Sequence, residues 1–327
     1  MSISIRHEPA MKLKKMEDPR SADSIAADAF SGDHLREMQA VTEIRNLAGP
    51  ESRQLLNDLL INGVVKKLVD FLQSDWCVEL AQEAAIALTN AAFFLDRDHL
   101  VQADVVPALL HLIQSTQPSI VAEEPSITLA GLYTIAQLAM GDANHVDYII
   151  TCGVCTVLNQ LLNHSDATLV EAATFIVASI AREHQPAQID AFFDADIPVT
   201  LIHVFSTSEN VKRRSEAAAA IGDIAKYGSS QQIDRLCAMG LLYAMCQNLA
   251  RNNRFINGVV LDVLSNILAK TSTLDLTSLY FQEYGGLNRI EALLGNSDES
   301  ISSQARAIID RYFVSSDDDY SDYDHDF

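Results

Sequence analysis

The sequence predicts an all-α protein built from stacked helical repeats, and three observations support this fold class. Apolar residues make up 48% of the chain but aromatic residues only 7%, so the core is built from Leu, Ile, Val and Ala. The eight Pro and thirteen Gly are few, and they fall between periodic runs. A helical couplet, Ala-rich at 83–90 and then apolar at 102–113, recurs down the chain as it does in a repeat array.

Each repeat has an anchor, which is the small or acidic residue that opens its second helix. The six anchors are Gly63, Asp104, Gly153, Asp196, Gly240 and Gly286, at steps of 41, 49, 43, 44 and 46 residues. Apolar residues at three- and four-residue spacing follow every anchor and place one helix face inside. A longer helix then follows, predicted over 78–93, 126–140, 168–183, 212–227, 256–270 and 298–313. The step of 49 residues contains an enlarged loop at 116–126.

A period in the forties, with one short helix and two longer ones, is typical of armadillo and HEAT repeats. One unit cannot bury its apolar face alone, so neighbours stack and their last helices line a concave groove. We therefore predict a right-handed superhelical solenoid of about six armadillo repeats over residues 34–313. Residues 1–33 lack a sustained apolar period, and 314–327 form an Asp-rich tail, so both segments are predicted to be disordered.

The charge of the chain points to a basic protein as its ligand. Forty-four acidic and 23 basic residues give a formal charge of −21, which repels nucleic acid and anionic membranes. Met1–Arg6 lacks the apolar core of a signal peptide, and no apolar run is long enough to span a bilayer. Five cysteines, an odd number, indicate reduced thiols in the cytosol or nucleus.

Neither a metal site nor an enzymatic site is predicted. Cys152 and Cys155 have the CxxC spacing of a zinc or redox pair, but no second CxxC or nearby His pair completes four ligands. The nine His are scattered, without a His-Glu-x-x-His or nucleophile-elbow motif. The chain is therefore predicted to need no cofactor and to carry out no catalysis.

Four segments carry a resemblance to one family. Glu83-Ala-Ala-Ile-Ala-Leu-Thr-Asn90 matches the motif Glu-x-Ala-Trp-Ala-Leu-x-Asn except at Trp, and residues 133–142 and 214–223 are similar to further repeats. Residues 284–294, followed by 309–313 and the acidic tail, are similar to a last repeat and its end. Over roughly residues 35–320 the chain thus resembles the importin-α family, the armadillo adaptors of nuclear import, in a divergent and shortened form.

The resemblance implies a peptide-binding groove with two rows of side chains. In the family, Trp rings form slots for Lys and Arg stems, Asn side chains clamp the peptide backbone, and nearby acids select basic residues. Carried over by position, the Trp row reads Ile86, Tyr133, Phe175, Ala219 and Asp262, and the Asn row reads Asn90, Gln137, Ser179, Asp223 and Asn266. Asp142 stands where the family places the acid that pairs with the main lysine of the signal.

The weakened Trp row sets the expected strength of binding. A cation–π contact contributes roughly 0.5–2 kcal/mol. Losing two or three would weaken a basic peptide about ten- to a thousandfold, so we expect weaker binding or different cargo. An alternative interpretation is that Tyr133 and Phe175 simply pack between helices.

The resemblance implies an adaptor that binds nuclear localisation signals and moves between cytoplasm and nucleus. The alternative is an armadillo scaffold that binds another protein and has lost transport. Lys12–Lys15 is at most a relic of the family's basic segment, and the missing Arg/Lys run puts recruitment of importin-β in doubt. The acidic tail is expected to attract basic partners or to contact an export factor.

Overall fold

The structure, a computed structural model, describes residues 20–47, 50–73, 77–115, 125–182, 186–249 and 253–313. All regular secondary structure in these ranges is helical, and packing divides the chain into two compact units, 1–103 and 104–327. Three predicted segments lie outside the described residues: 1–19 and the tail 314–327, both predicted to be disordered, and residues 116–124 of the loop predicted at 116–126. The single array expected over 34–313 stays a prediction.

The described part of the first unit is a stack of short helices. They are α1 (Ala22–Ala29), α2 (His34–Arg45), α3 (Arg53–Ile61), α4 (Val64–Leu72), α5 (Val78–Ala92) and α6 (Arg97–Gln102), with a 3-10 turn at Pro50–Ser52. Ile44, Leu59, Leu68, Leu80 and Leu88 are fully buried among them. The core is therefore aliphatic, as the composition predicts.

Helix α1 corrects part of the sequence prediction. Residues 20–33 fall in the segment expected to be disordered, yet the hydroxyl of Ser21 caps α1 by accepting from the amide of Ser24. Ile25 and Ala29 are fully buried, and α1 packs against α2 and α3. The prediction of disorder is wrong here because a short helix gains its stability from tertiary packing, which the local sequence does not display.

The second unit continues with fourteen helices in its described residues. They are α7 (Val105–Ser115), α8 (Pro125–Ala139), α9 (Ala143–Thr151), α10 (Val154–Leu162), α11 (Ala167–Ala181), α12 (Pro186–Asp194), α13 (Ile197–Thr207), α14 (Val211–Tyr227), α15 (Ser230–Ala238), α16 (Leu241–Leu249), α17 (Arg254–Lys270), α18 (Leu274–Glu283), α19 (Gly286–Ala292) and α20 (Glu299–Tyr312). A 3-10 turn at Leu293–Gly295 precedes α20.

The helices repeat in threes, as armadillo units do. The third helices of the second unit, α8, α11, α14, α17 and α20, pack one against the next. In the first unit α2 packs on α5 in the same way, so α2 is the third helix of an additional, amino-terminal unit. Every long helix predicted from the sequence is present with ends within two residues of the expected ones. The all-α armadillo fold class is confirmed.

Five of the six anchors adopt the left-handed backbone conformation where the sequence places them. They are Gly63, Asp104, Gly153, Asp196 and Gly240, with φ of 74°, 54°, 89°, 57° and 91°. At the sixth repeat the left-handed residue is Gly285, with φ of 74°, and the predicted anchor Gly286 is the first residue of α19. Gly286 has a different constraint, since a Cβ there would lie 2.4 Å from the ring of Phe281.

Hydrogen bonds between first helices join successive repeats of the second unit, and we call them clasps. They join Gln188 to Asp147 and Gln232 to Asp190, at 2.7 and 2.8 Å. Both glutamines are buried and also donate to a backbone carbonyl of the preceding repeat. Each clasp therefore satisfies side chains of two repeats at once.

In the part of the chain that the structure describes, no helix is both long and apolar enough to cross a membrane.

Candidate functional site

The two predicted rows lie on the third helices, and the members of each pair are four positions apart. The pairs are Ile86 and Asn90 on α5, Tyr133 and Gln137 on α8, Phe175 and Ser179 on α11, Ala219 and Asp223 on α14, and Asp262 and Asn266 on α17. We call the surface of α8, α11, α14 and α17 that carries these residues the third-helix face. Four-residue spacing aligns each pair along its own helix.

In the first unit, Asn90 holds two neighbouring helices together. Its side-chain amide donates to the carbonyl of Arg45 at 2.7 Å, while the guanidinium of Arg45 lies 2.6 Å from Glu83. Ile86, one turn before Asn90, is only partly buried. The amide that the resemblance assigns to peptide binding is thus engaged with α2 through one of its donors.

The two aromatic members of the Trp row have different environments. Tyr133 is 45% exposed on α8, so its ring is accessible to a ligand. Phe175 is partly buried on α11. Ser179 is buried, and its hydroxyl donates to the carbonyl of Phe175 at 2.8 Å, which is bonding within its own helix. Ser179 therefore does not present a hydroxyl on the third-helix face.

Asp142 has a structural role that the resemblance does not describe. It is the N-cap of α9, where its carboxylate accepts from the amides of Asn144 and His145 at 3.0 and 3.1 Å. The ring of His145 accepts in return from the amide of Asp142 at 3.2 Å, which completes a capping box. The bond from the His145 amide lowers the pKa of Asp142 below its usual value. The carboxylate stays exposed and charged.

Two acids and one lysine lie close together between α11 and α14 on the third-helix face. Lys212 contacts Glu171 of the neighbouring helix, and its ammonium lies 3.9 Å from Glu216 one turn further along α14. Burial, and then repulsion by Glu171, raise the pKa of Glu216 to about 7. Glu171 precedes Phe175 by four residues, so Glu171 lies on the same side of α11 as the aromatic ring.

A second cation–acid pair joins the same two helices at their other ends. The guanidinium of Arg182, the C-cap of α11, donates to the carboxylate of Asp223 at 3.2 Å. Burial raises the pKa of Asp223, although the charge of Arg182 opposes that shift. Asp223 is 22% exposed at its side chain while Arg182 is 54% exposed, so the cation lies outside the acid.

The last pair of the rows is tied to the final third helix. Asp262 accepts from the amide of Gln304 at 2.9 Å, and Asn266 donates to the carbonyl of Asp262 at 2.8 Å. A small cavity of about 150 Å³ lies beside them and is bordered by Arg311 and Tyr312 of α20. This end of the face therefore offers an exposed acid with no aromatic ring in the Trp row.

Sequence reasoning missed three residues of the third-helix face, Glu171, Arg182 and Glu216, and it interpreted Lys212, at the start of its groove helix, as part of a solvated patch. A signal for Glu171 and Arg182 was present, since they lie four residues before and seven residues after Phe175 and so share its side of the helix. The pairing between helices could not be found in this way, because it depends on how α11 and α14 are aligned.

The cysteines have the environments of buried structural thiols. Burial raises the pKa of Cys155 to about 11 and that of Cys237 to about 12. Burial also raises the pKa of Cys152. Among the residues that the structure describes, no group of three or more His, Cys, Asp or Glu side chains is arranged to hold a metal ion.

Sequence comparisons relate the chain to known proteins. The family model described as Atypical Arm repeat matches residues 275–326. Importin subunit alpha-6 of Arabidopsis thaliana is 25% identical over 66% of this chain and 39% of its own length. Importin subunit alpha-8 of the same plant is 28% identical over 72% of this chain and 49% of its own. The chain thus spans less than half the length of these relatives.

Structural comparisons support the same fold. An engineered protein superposes with a TM-score of 0.73 at 23% identity, covering 88% of this chain and 67% of its own. A designed armadillo repeat protein in complex with the peptide (KR)4 superposes with a TM-score of 0.65 at 21% identity, covering 75% of this chain and 98% of its own. The sequence similarities support a divergent, importin-alpha-like chain, and the structural similarities show its armadillo fold.

Proposed function

We propose that this importin-alpha-like armadillo protein binds extended basic segments of other proteins on its third-helix face. As an adaptor it would read nuclear localisation signals and move between cytoplasm and nucleus. The similarity to importin alpha subunits supports the class of partner, and the armadillo fold supports a role in protein interaction rather than catalysis. The formal charge of −21 favours a basic partner further.

The observation that carries this proposal is that the third-helix face already holds two cationic side chains. Lys212 lies against Glu171 and Glu216, and Arg182 lies against Asp223. The carboxylates that pair with these two cations are the groups with which the Lys and Arg side chains of a bound basic peptide would pair. Exposed Tyr133 adds an aromatic face on which a Lys or Arg stem can stack.

Binding should be weaker than in a groove with a full Trp row. Ala219 and Asp262 supply no ring, so only Tyr133 and Phe175 can contribute cation–π contacts of roughly 0.5–2 kcal/mol each. Charge attraction compensates in part, but salt screens it over about 10 Å at 0.1 M. The affinity should therefore fall steeply as the salt concentration rises.

The test is a calorimetric titration of the full chain with a Lys-rich signal peptide at moderate salt. Asp142→Asn should lower the affinity more than Asp223→Asn, because Arg182 already neutralises Asp223. Asn is chosen at position 142 since it retains an N-cap acceptor, whereas Lys would remove the cap of α9 as well as the charge. No binding by the parent chain, or equal losses in the two variants, would favour the scaffold over the adaptor.

The scaffold is the second candidate, and the internal ion pairs are the observation that favours it. A face whose acids are engaged by the chain's own cations can serve a partner that is not strongly basic. A pull-down from cytosol with the full chain and with a chain lacking residues 1–19 separates the two candidates. Basic nuclear proteins and an export factor are expected for the adaptor, and capture of importin-β by the full chain alone would assign a role to the basic cluster at residues 12–15. The deletion stops before Arg20 because Arg20 contacts Asp28 and Glu43 in the first unit.

A further inference from the structure

We infer that Arg182 and Lys212 are internal competitors of the peptide, which set the affinity and selectivity of the third-helix face. This inference rests on the proposed function, because it concerns the same face and the same class of ligand. Both residues reach from one third helix to an acid on the adjacent one, Arg182 from α11 to Asp223 and Lys212 from α14 to Glu171. A ligand cation that takes the place of either side chain on its acid must displace that side chain.

The exposure of the partners supports displacement rather than permanent bracing. The side chain of Lys212 is 63% exposed, whereas those of Glu171 and Glu216 are 39% and 19% exposed. Arg182 is likewise more exposed than Asp223. Each cation thus covers its acid from the solvent side, where a peptide would approach. An exposed ion pair contributes only about 0.2–1 kcal/mol, so a ligand that brings several cations can displace it.

Arg182 and Lys212 also differ from two basic side chains that bridge repeats of the second unit through backbone carbonyls. Arg289 donates to the backbone carbonyl of Cys246, and Lys270 donates to that of Ala225 at 3.1 Å. Those contacts satisfy backbone groups that no peptide would replace. Arg182 and Lys212 instead engage carboxylates, which a Lys or Arg of the ligand can satisfy equally well.

Competition predicts which ligands the face prefers. A peptide with a single basic residue gains one ion pair and breaks one, so it gains little. A peptide with basic residues at both positions replaces two internal pairs and adds its stacking and backbone contacts. The internal cations therefore discriminate against weakly basic segments, a form of selectivity by competition.

The test measures binding of fluorescein-labelled octalysine to the full chain by anisotropy, at pH 8 and 50 mM salt. Arg182→Ala and Lys212→Ala should each tighten binding about three- to fivefold relative to the control, the equivalent of the 0.2–1 kcal/mol range at its upper end. The control is Arg235→Ala, which removes the same charge from an ion pair with Asp190 on the first helices. Any general effect of net charge is then common to all three variants.

A double-mutant cycle separates competition from altered folding. In an Asp223→Asn background, Arg182→Ala should no longer tighten binding beyond the control, because the acid that it competes for is gone. Lys212→Arg should bind like the parent, since it retains a cation at that position. Circular dichroism melts establish that each variant is folded.

The outcomes distinguish the inference from the proposed function. If the parent binds octalysine but Arg182→Ala and Lys212→Ala match Arg235→Ala, the inference is wrong and the proposed function stands. If neither the parent nor any variant binds, the proposed function fails and the inference fails with it. Tighter binding by both variants, abolished for Arg182→Ala by Asp223→Asn, supports the inference.

Discussion

Replacing Glu216 with Gln should stabilise the protein at pH 8 and have little effect at pH 5. In the folded chain, burial and the nearby charge of Glu171 raise the pKa of Glu216 from 4.5 to about 7, although Lys212 opposes the shift. Between these two values the folded state holds a proton that the unfolded state has lost, so the free energy of unfolding falls as the pH rises. Above about pH 7 the folded state carries the full cost of the charge, and Gln removes that cost.

The size of the effect follows from the shift. A difference between 4.5 and about 7 sets a ceiling of about 3 kcal/mol, at 1.36 kcal/mol for each pKa unit. Lys212 and Glu171 are exposed enough for solvent to screen the interaction, so we expect about 1–2 kcal/mol at pH 8. For a chain of 327 residues this corresponds to an increase in Tm of about 2–3 °C.

The assay is thermal unfolding followed by circular dichroism at 222 nm, at pH 5, 6, 7 and 8. Glu291→Gln is the matched control, because it removes the same charge from an exposed position on α19. The difference in Tm between Glu216→Gln and this control should grow steadily with pH. Equal differences at pH 5 and pH 8 would refute the reasoning, since they would show that the gain does not come from the charge of Glu216.

Three further predictions concern the scaffold. In urea titrations, Asp196→Gly should stabilise the chain by about 1 kcal/mol and Gly240→Ala should destabilise it by about 1–2 kcal/mol, because both positions have left-handed backbone. No heavy atom lies within 4 Å of a Cβ built at Gly240, so opposite signs for the two variants would show that the backbone conformation decides. Gln232→Ala should lower the free energy of unfolding by about 2 kcal/mol in the same titrations, since the buried amide donates to Asp190 and to the carbonyl of Pro186. An unchanged urea midpoint would show that this clasp does not stabilise the pair of repeats. Cys155, Cys237 and Cys246 should react with Ellman's reagent at pH 8 far more slowly in the folded chain than in urea, because burial raises the pKa of each thiol to about 11 or 12. Rapid labelling of these residues in the folded chain would contradict their burial.

The sequence predicts the helices well because their pattern is local. The longest helices are recovered to within two residues from apolar spacing alone, and the anchors from single small or acidic residues. At the sixth repeat the left-handed conformation falls on Gly285 rather than on the adjacent Gly286, although either glycine can adopt positive φ. The close approach of the Phe281 ring to Gly286 is a tertiary contact that is not visible in the sequence.

The site was harder to predict because its chemistry lies between repeats. Residue spacing predicts the positions of Phe175 and Asp223 on their helices. It does not predict the pairing of Asp223 with Arg182, because that pairing depends on the alignment of α11 with α14. Asp142 shows a different limit. The resemblance implies that Asp142 pairs with a lysine of the ligand, whereas its position before α9 makes it the N-cap of that helix, and the sequence does not separate the two roles. Helix α1 was missed because its burial depends on α2 and α3.

The clasps couple the opening of neighbouring repeats. Gln188 and Gln232 each take a hydrogen-bond partner from the repeat before, so local unfolding of one repeat leaves its neighbour with unpaired polar side chains. Fluctuations that expose backbone amides to solvent should therefore involve pairs of repeats between residues 143 and 270. In hydrogen–deuterium exchange, such coupling would appear as one shared opening rate across several helices, the nearest-neighbour cooperativity of a one-dimensional array.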